Sequence, residues 1–194
     1  MRIPKKVGPL KYVVPMEHHK TVGVQTFQNP HTNKEYDYRL VISDIEWNAL
    51  IFPLTANNEV IVLHQYRHAK DCFLYEIPGG CPDSSDEEPA LTARRELTEE
   101  TGFVAEHIIP LLPKAAWLEP VSIIKGNFYY FLATGCEKKL PTNHDEIEYI
   151  EVLSIPFQKW MHMVLDGTVQ DNKTITATLL AERYLTTPHT DLIK

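Results

Sequence analysis

At 194 residues the chain is long enough for one well-cored domain and a small appendage, and its 43% hydrophobic and 23% charged content is ordinary for a soluble globular protein. A net charge of −7 argues against a nucleic-acid surface, which needs clustered Lys and Arg, so an anionic substrate would have to be admitted locally by a metal and arginines. Cys72, Cys81 and Cys136 are widely spaced with no CxxC, which reads as reduced thiols rather than a disulfide framework. No apolar run reaches about 18 residues, and the first residues lack the apolar stretch of a signal peptide. The expectation is a cytoplasmic protein with no membrane partner.

In chain order, residues 1–16 read as an irregular lead-in with one short extended piece at 11–14. Two β-like runs follow, 19–27 and 36–43, and the turn-rich Asn29-Pro30-His31-Thr32-Asn33 between them marks a hairpin. A second hairpin is expected from 49–54 and 59–65, turning at Asn57-Asn58. A short strand at 73–77 delivers the chain to the glycine pair Gly79-Gly80. A helix then starts at Pro89, whose missing N–H is no loss at the first helical position. It ends before Gly102, which suits the residue just past a helix end. Extended segments are expected at about 104–118, 127–133 and 147–153, and helices at 156–165 and 173–185. The first 45 or so residues, with Val22, Val24 and Phe27, cannot bury a core alone. The division expected is an N-terminal β subdomain, 1–46, and a main domain, 47–194. Strands on both sides of one helix, with helices at the end, give an α+β fold with a mixed sheet sandwiched by helices.

That one helix carries the chemistry. Glu96, Glu99 and Glu100 stand at i, i+3 and i+4, within an arc of roughly 100°. Like charges so placed destabilise an isolated helix by a few tenths of a kcal/mol per pair. A divalent cation reverses the sign, and hard carboxylate oxygens suit Mg²⁺ or Mn²⁺. Taken alone, such a stripe is more often a solvated acidic face.

The surrounding string, Gly79 to Phe103, resembles the Nudix box, G-x5-E-x7-R-E-U-x-E-E-x-G-U, with U aliphatic or aromatic. Gly102-Phe103, Glu99-Glu100, Leu97 and Arg95-Glu96 fall in place, and Glu87 stands at the earlier glutamate. The sequence departs from the pattern between Gly80 and Glu87, where six residues replace five; the extra one lies in a loop, where insertion is tolerated. The resemblance implies an α/β/α Nudix sandwich with a mixed sheet, to which the N-terminal antiparallel piece is added. It also implies metal ligation by Glu96, Glu100 and Glu99, joined by the main-chain carbonyl of Gly79. Arg95 then pairs with Glu87 to hold the loop against the helix, and Glu87 as an outer ligand stays open.

The flanks resemble the ADP-ribose and nucleoside-diphosphate-sugar pyrophosphatase branch, through Val62-Leu63-His64-Gln65-Tyr66-Arg67 and Tyr75-Glu76-Ile77-Pro78-Gly79-Gly80. That branch implies Arg67 on a substrate phosphate or terminal sugar, unless it forms a surface salt bridge. Glu76 would accept from substrate hydroxyls or serve as a structural acceptor. Pro120 matches a proline beyond the box, although Glu119-Pro120-Val121-Ser122 lacks the glycine usual after it. The branch also uses an acidic loop just before a strand, which here is Thr142 to Glu151. Alternation puts Glu146 and Glu148 on one side of an extended chain, one as general base and one as a further metal ligand. It commonly dimerises by exchanging an N-terminal piece, so a homodimer is expected. The activity implied is cleavage of a nucleoside diphosphate sugar, ADP-ribose or a relative such as GDP-mannose. A nucleoside-triphosphate or dinucleotide hydrolase, or a regulator that binds nucleotide sugars without catalysis, are the alternatives; such regulators lose box carboxylates, and here they are present. His64 and His68, four apart in a strand-to-loop segment, do not share a face, so zinc is not expected there.

Overall fold

The computed structural model describes residues 2–16, 20–83, 88–117, 124–144 and 148–187. In chain order the elements are β1 (Lys5–Met16), β2 (Lys20–Gln28), β3 (Glu35–Pro53), β4 (Glu59–Arg67), β5 (Cys72–Glu76), β6 (Gly79–Gly80), α1 (Pro89–Thr101), β7 (Phe103–Val104), β8 (His107–Pro110), β9 (Ala116–Trp117), β10 (Ile124–Thr134), β11 (Glu137–Lys138), β12 (Ile150–Pro156), α2 (Phe157–Leu165) and α3 (Asn172–Thr186). The chain divides into two compact units, 1–47 with 116–128, and 48–115 with 129–194.

In the first unit, β2 pairs with β3 in unbroken antiparallel register from Lys20↔Ser43 to Gln28↔Glu35. The turn between them is held by Asn29, whose side-chain oxygen accepts from the His31 and Thr32 amides at 2.8 and 3.1 Å. Asn33 completes it at φ 58°, a conformation asparagine tolerates. This is the hairpin that the turn residues mark. The expected irregular lead-in is instead the twelve-residue strand β1, paired along β2. Gly8 and Pro9 are poor strand residues, but the register slips between Val7 and Lys11 and the bulge absorbs both. Gln25 and Ile42 are buried, and Phe27 packs its ring against Tyr36 and Tyr38. Tyr12, Val13 and Val14 on β1 stay more than half exposed.

In the second unit, Ala49 to Leu54 at the end of β3 are buried throughout. The expected hairpin with β4 does not form: one isolated bridge, Leu54↔Val60, joins the two runs. The edges of that stretch are taken elsewhere, by β6 at Ala49↔Gly80 and Leu50↔Gly79, and by hydrogen bonds from Leu54 N–H to Ala133 O and from Cys136 N–H to Leu54 O. The turn at Asn57-Asn58 therefore leads into a different sheet. There β4 runs between β12 and β5, antiparallel to both, and its residues Val60 to Leu63 are almost wholly buried. At about 1.5–3 kcal/mol per fully buried large aliphatic side chain, this central strand is a principal source of stability.

The helix α1 forms as expected. Pro89 stands in its first turn, and Gly102 closes it at φ 74° with its N–H donating to Thr98 O. Ala93 and Leu97 face the core and are fully buried. A Cβ on Gly102 would lie 2.1 Å from Leu140 O, so neither the conformation nor the space admits a side chain. The two C-terminal helices also appear within a residue of their expected bounds. Trp160 of α2 is fully buried and donates its Nε1–H to Thr178 Oγ1 of α3 at 3.0 Å, locking the pair together.

Candidate active site

Helix α1 faces the glycine pair. The Gly79 N–H donates to Glu100 Oε2 at 2.9 Å. Glycine is required at position 79, where a Cβ would sit 2.4 Å from the backbone Ala49 O; a Cβ on Gly80 would fall 2.3 Å from Glu96 Oε1 and would push that carboxylate aside. Two carboxylates one helical turn apart are thereby drawn under a backbone with no side chains to shield them.

Burial pushes the Glu96 carboxyl up to about 7, against the pull of the Arg95 guanidinium. Its side chain is only 13% exposed. Burial also lifts Glu100 well above the usual carboxylate range. Of the charges acting on Glu100, those of Glu96 and Glu148 push the same way, while the Gly79 N–H and Arg67 oppose them. Glu96, Glu100 and Glu148 are thus brought within electrostatic reach of one another. Among the described residues, no group of three or more His, Cys, Asp or Glu is closed in on a single metal position. The chemistry of the donors nevertheless fits a hard divalent cation: all are oxygen ligands, and burial raises the proton affinity of Glu96 and Glu100. Glu96, Glu100, Glu148 and the Gly79 carbonyl are the groups that would hold it.

Arg95 binds the loop to the helix. It donates to Cys81 O at 2.6 Å and to Glu99 Oε2 at 2.7 Å, and it pairs with Asp83 at 3.0 Å and Glu96 at 2.9 Å. Glu99, expected among the metal ligands, has its carboxylate engaged by Arg95 and is 40% exposed. The orienting role expected of Arg95 has Asp83 and Cys81 as its visible partners; Glu87 lies outside the described residues, as do Pro120 and Glu146. Asp83 is a single loop aspartate, and no spacing in the sequence marked it.

Arg67 and Glu76 meet in a two-pronged ion pair, Nε to Oε1 at 2.6 Å and Nη2 to Oε2 at 2.7 Å. Glu76 is 4% exposed, whereas the Arg67 side chain is 43% exposed, so the pair presents its arginine edge. The hydrogen bond that Arg67 donates to Glu76 raises the arginine's pKa further. Lys173 stands 3.7 Å from Glu76 and 3.2 Å from Asp171. Asp171 caps α3 by accepting from the Thr174 amide at 2.9 Å and its hydroxyl at 2.8 Å, and the Ile77 N–H donates to Thr174 Oγ1 at 3.1 Å. Asp171 is detectable in sequence as an N-cap residue; that Lys173 reaches Glu76 is not.

His64 stacks on Tyr75 and packs on Phe73, while His68 stands against Tyr66 and Tyr149. Both belong to an aromatic cluster. Tyr130 is buried, and Trp117 in the first unit is 74% exposed.

The model of the NUDIX domain matches residues 45–179. A methanol dehydrogenase activator of Bacillus methanolicus is 26% identical over 132 residues, covering 66% of this chain and 67% of its own. An ADP-ribose pyrophosphatase of Bacillus subtilis (strain 168) is 29% identical over 127 residues, covering 64% of this chain and 65% of its own. The chain therefore spans about two thirds of the length of these relatives. A crystal structure of an ADP compounds hydrolase superimposes with TM-score 0.81 over 95% of both chains at 19% identity, a likeness of fold that bears out the expected α/β/α architecture. With the family model covering well over half of the residues, and the acidic helix facing its glycine pair as the box requires, the chain belongs to the Nudix family.

Proposed function

We propose that this protein hydrolyses the pyrophosphate bond of a nucleoside diphosphate sugar, ADP-ribose or a related compound such as GDP-mannose, to a nucleoside monophosphate and a sugar phosphate, with Mg²⁺ or Mn²⁺. The observation that carries the reading is the buried pair Glu96 and Glu100 under Gly79-Gly80, with Glu148 acting on Glu100. A divalent cation held there by these carboxylates would neutralise pyrophosphate oxygens and ease ionisation of the attacking water. The chain's own contribution is orientation and proton transfer. Arg67 commits Nε and Nη2 to Glu76 and offers its exposed edge to a phosphate, held in place by the bidentate pair. Of Glu146 and Glu148, one takes the proton from the attacking water as its oxygen bonds to phosphorus and the bridging P–O bond breaks. Pro120, which matches the branch's proline beyond the box, is assigned to substrate binding on that resemblance alone.

A ligand-binding regulator is the reading that the relative named an activator raises. Retention of Glu96, Glu99 and Glu100 supports hydrolysis over it. The protein is further proposed to be a cytoplasmic homodimer, its N-terminal 46 residues meeting the partner through the exposed apolar residues of β1, and to have no nucleic-acid or membrane partner. None of the three cysteines is in a disulfide, and among the described residues no helix is long and apolar enough to cross a membrane.

The test is a panel of ADP-ribose, GDP-mannose, UDP-glucose, ADP-glucose and nucleoside triphosphates with Mg²⁺ and with Mn²⁺, products read by ³¹P NMR. Two phosphomonoesters from a nucleotide sugar support the proposal. Preferred release of inorganic pyrophosphate from a triphosphate, or binding without turnover, overturns it.

A further inference from the structure

An α-helix leaves its last four carbonyls without partners inside the helix. In α1, Thr98 O takes the Gly102 N–H at 2.8 Å, and the next two carbonyls are served by a distant segment, 139–144. The Asn143 N–H donates to Glu99 O at 2.7 Å, and His144 Nε2 meets Glu100 O at 2.7 Å. Just beyond the helix, Gly102 O accepts from both the Lys139 and Leu140 amides at 3.0 Å. A carbonyl only accepts, so the proton of the His144 ring lies on Nε2. Four residues past His144 the chain reaches Glu148, and Tyr149 O accepts from the Tyr66 N–H at 3.0 Å. His144 is therefore the last side chain to grip α1 before the acidic segment begins.

We infer that His144 is a positioning residue: its ring ties the segment leading to Glu148 to the main chain of Glu100, so that the helix and the segment bring their carboxylates to one place in a fixed relation. The inference rests on the proposed reading of Glu148 as a base or metal-side carboxylate. His144 itself touches neither substrate nor metal. Its place is the one that outer partners of metal ligands occupy, whose removal typically weakens affinity or activity about ten- to a hundredfold.

The test compares His144→Ala, which deletes the donor, with His144→Gln, whose amide can reach the same carbonyl. Steady-state kinetics on the best substrate of the panel and Mn²⁺ affinity by electron paramagnetic resonance, measured without substrate, are both read. His144→Ala is expected to lower kcat about tenfold or more with KM little changed, and to weaken Mn²⁺ binding; His144→Gln restores most of both. On a Glu148→Gln background, His144→Ala adds little, because both act through one carboxylate. A kcat within about twofold of wild type for His144→Ala, a glutamine variant as impaired as the alanine one, or full additivity with Glu148→Gln each overturns the inference. If the wild type cleaves nothing in the panel, the functional reading fails, and Mn²⁺ affinity alone decides: weakened by alanine and restored by glutamine upholds the role, and unchanged affinity overturns it.

Discussion

Without metal, the buried acidic pair should make this protein less stable as the solution becomes neutral. The Glu96 carboxyl has an ordinary value of 4.5 and is lifted to about 7 by burial in the fold. A carboxyl raised on folding stabilises the native state below its unfolded value, and that contribution is lost as pH rises through the folded one. The window is thus pH 4.5 to about 7. At 1.36 kcal/mol per pH unit, keeping Glu96 ionised costs the metal-free fold about 3 kcal/mol, which in a chain of this size is roughly 6–12 °C of Tm. Glu100 acts in the same direction, while Cys136 and Tyr130, raised to about 11 and 12, titrate outside the window. Differential scanning calorimetry in EDTA at pH 5, 6, 7 and 8 reads the effect directly. The wild-type Tm should fall across the series and recover on addition of Mg²⁺ at pH 8. Glu96→Gln loses its pairing with Arg95, so its absolute Tm is not diagnostic; its slope with pH is, and should be clearly shallower. A wild-type Tm that is flat or rises from pH 5 to 8, or a variant slope equal to wild type, refutes the reasoning.

Glu100→Gln should lower kcat by about a hundredfold in steady-state assays while Tm stays near or above wild type, since it removes a ligand and a like charge together. Gly80→Ala, whose Cβ would fall 2.3 Å from Glu96 Oε1 and push that carboxylate aside, should weaken Mn²⁺ binding, measured by titration. The pH–rate profiles of Glu146→Gln and Glu148→Gln should show loss of the acidic limb in one of them; wild-type kcat and limb in both would place the base elsewhere. Light scattering at micromolar concentration should give twice the 22.3 kDa of the chain, and the single mass would count against a dimer.

Sequence legibility followed the range of the interactions. The helix carrying Glu96 and Glu100 was readable because Pro89, Gly102 and the i, i+3, i+4 carboxylates are local signals. The turn at Asn29 was readable for the same reason. The strand β1 was not, because pairing with β2 overrides the local preferences of Gly8 and Pro9. The misassigned hairpin at Asn57-Asn58 shows the same thing from the other side: the turn was correct, and partners roughly eighty to a hundred residues away decided what it joins. At the site, Arg67 and Glu76 were both legible as candidates, but their mutual pairing was not. Asp83, Lys173 and His144 belong to no spacing pattern and became visible only through what they touch.

The hydroxyl of Thr174 bears on where this protein can be shortened. Ile77, the residue before Pro78-Gly79-Gly80, gives its amide proton to that hydroxyl, which in turn gives its own to Asp171. A fragment cut before α3 would lose more than a peripheral helix. It would strand a buried amide next to the glycine pair, remove the Lys173 ammonium from Glu76, and expose the Trp160 indole whose partner is Thr178. The smallest piece able to keep the glycine pair under the acidic helix must therefore run through α3, although the box itself ends some seventy residues earlier.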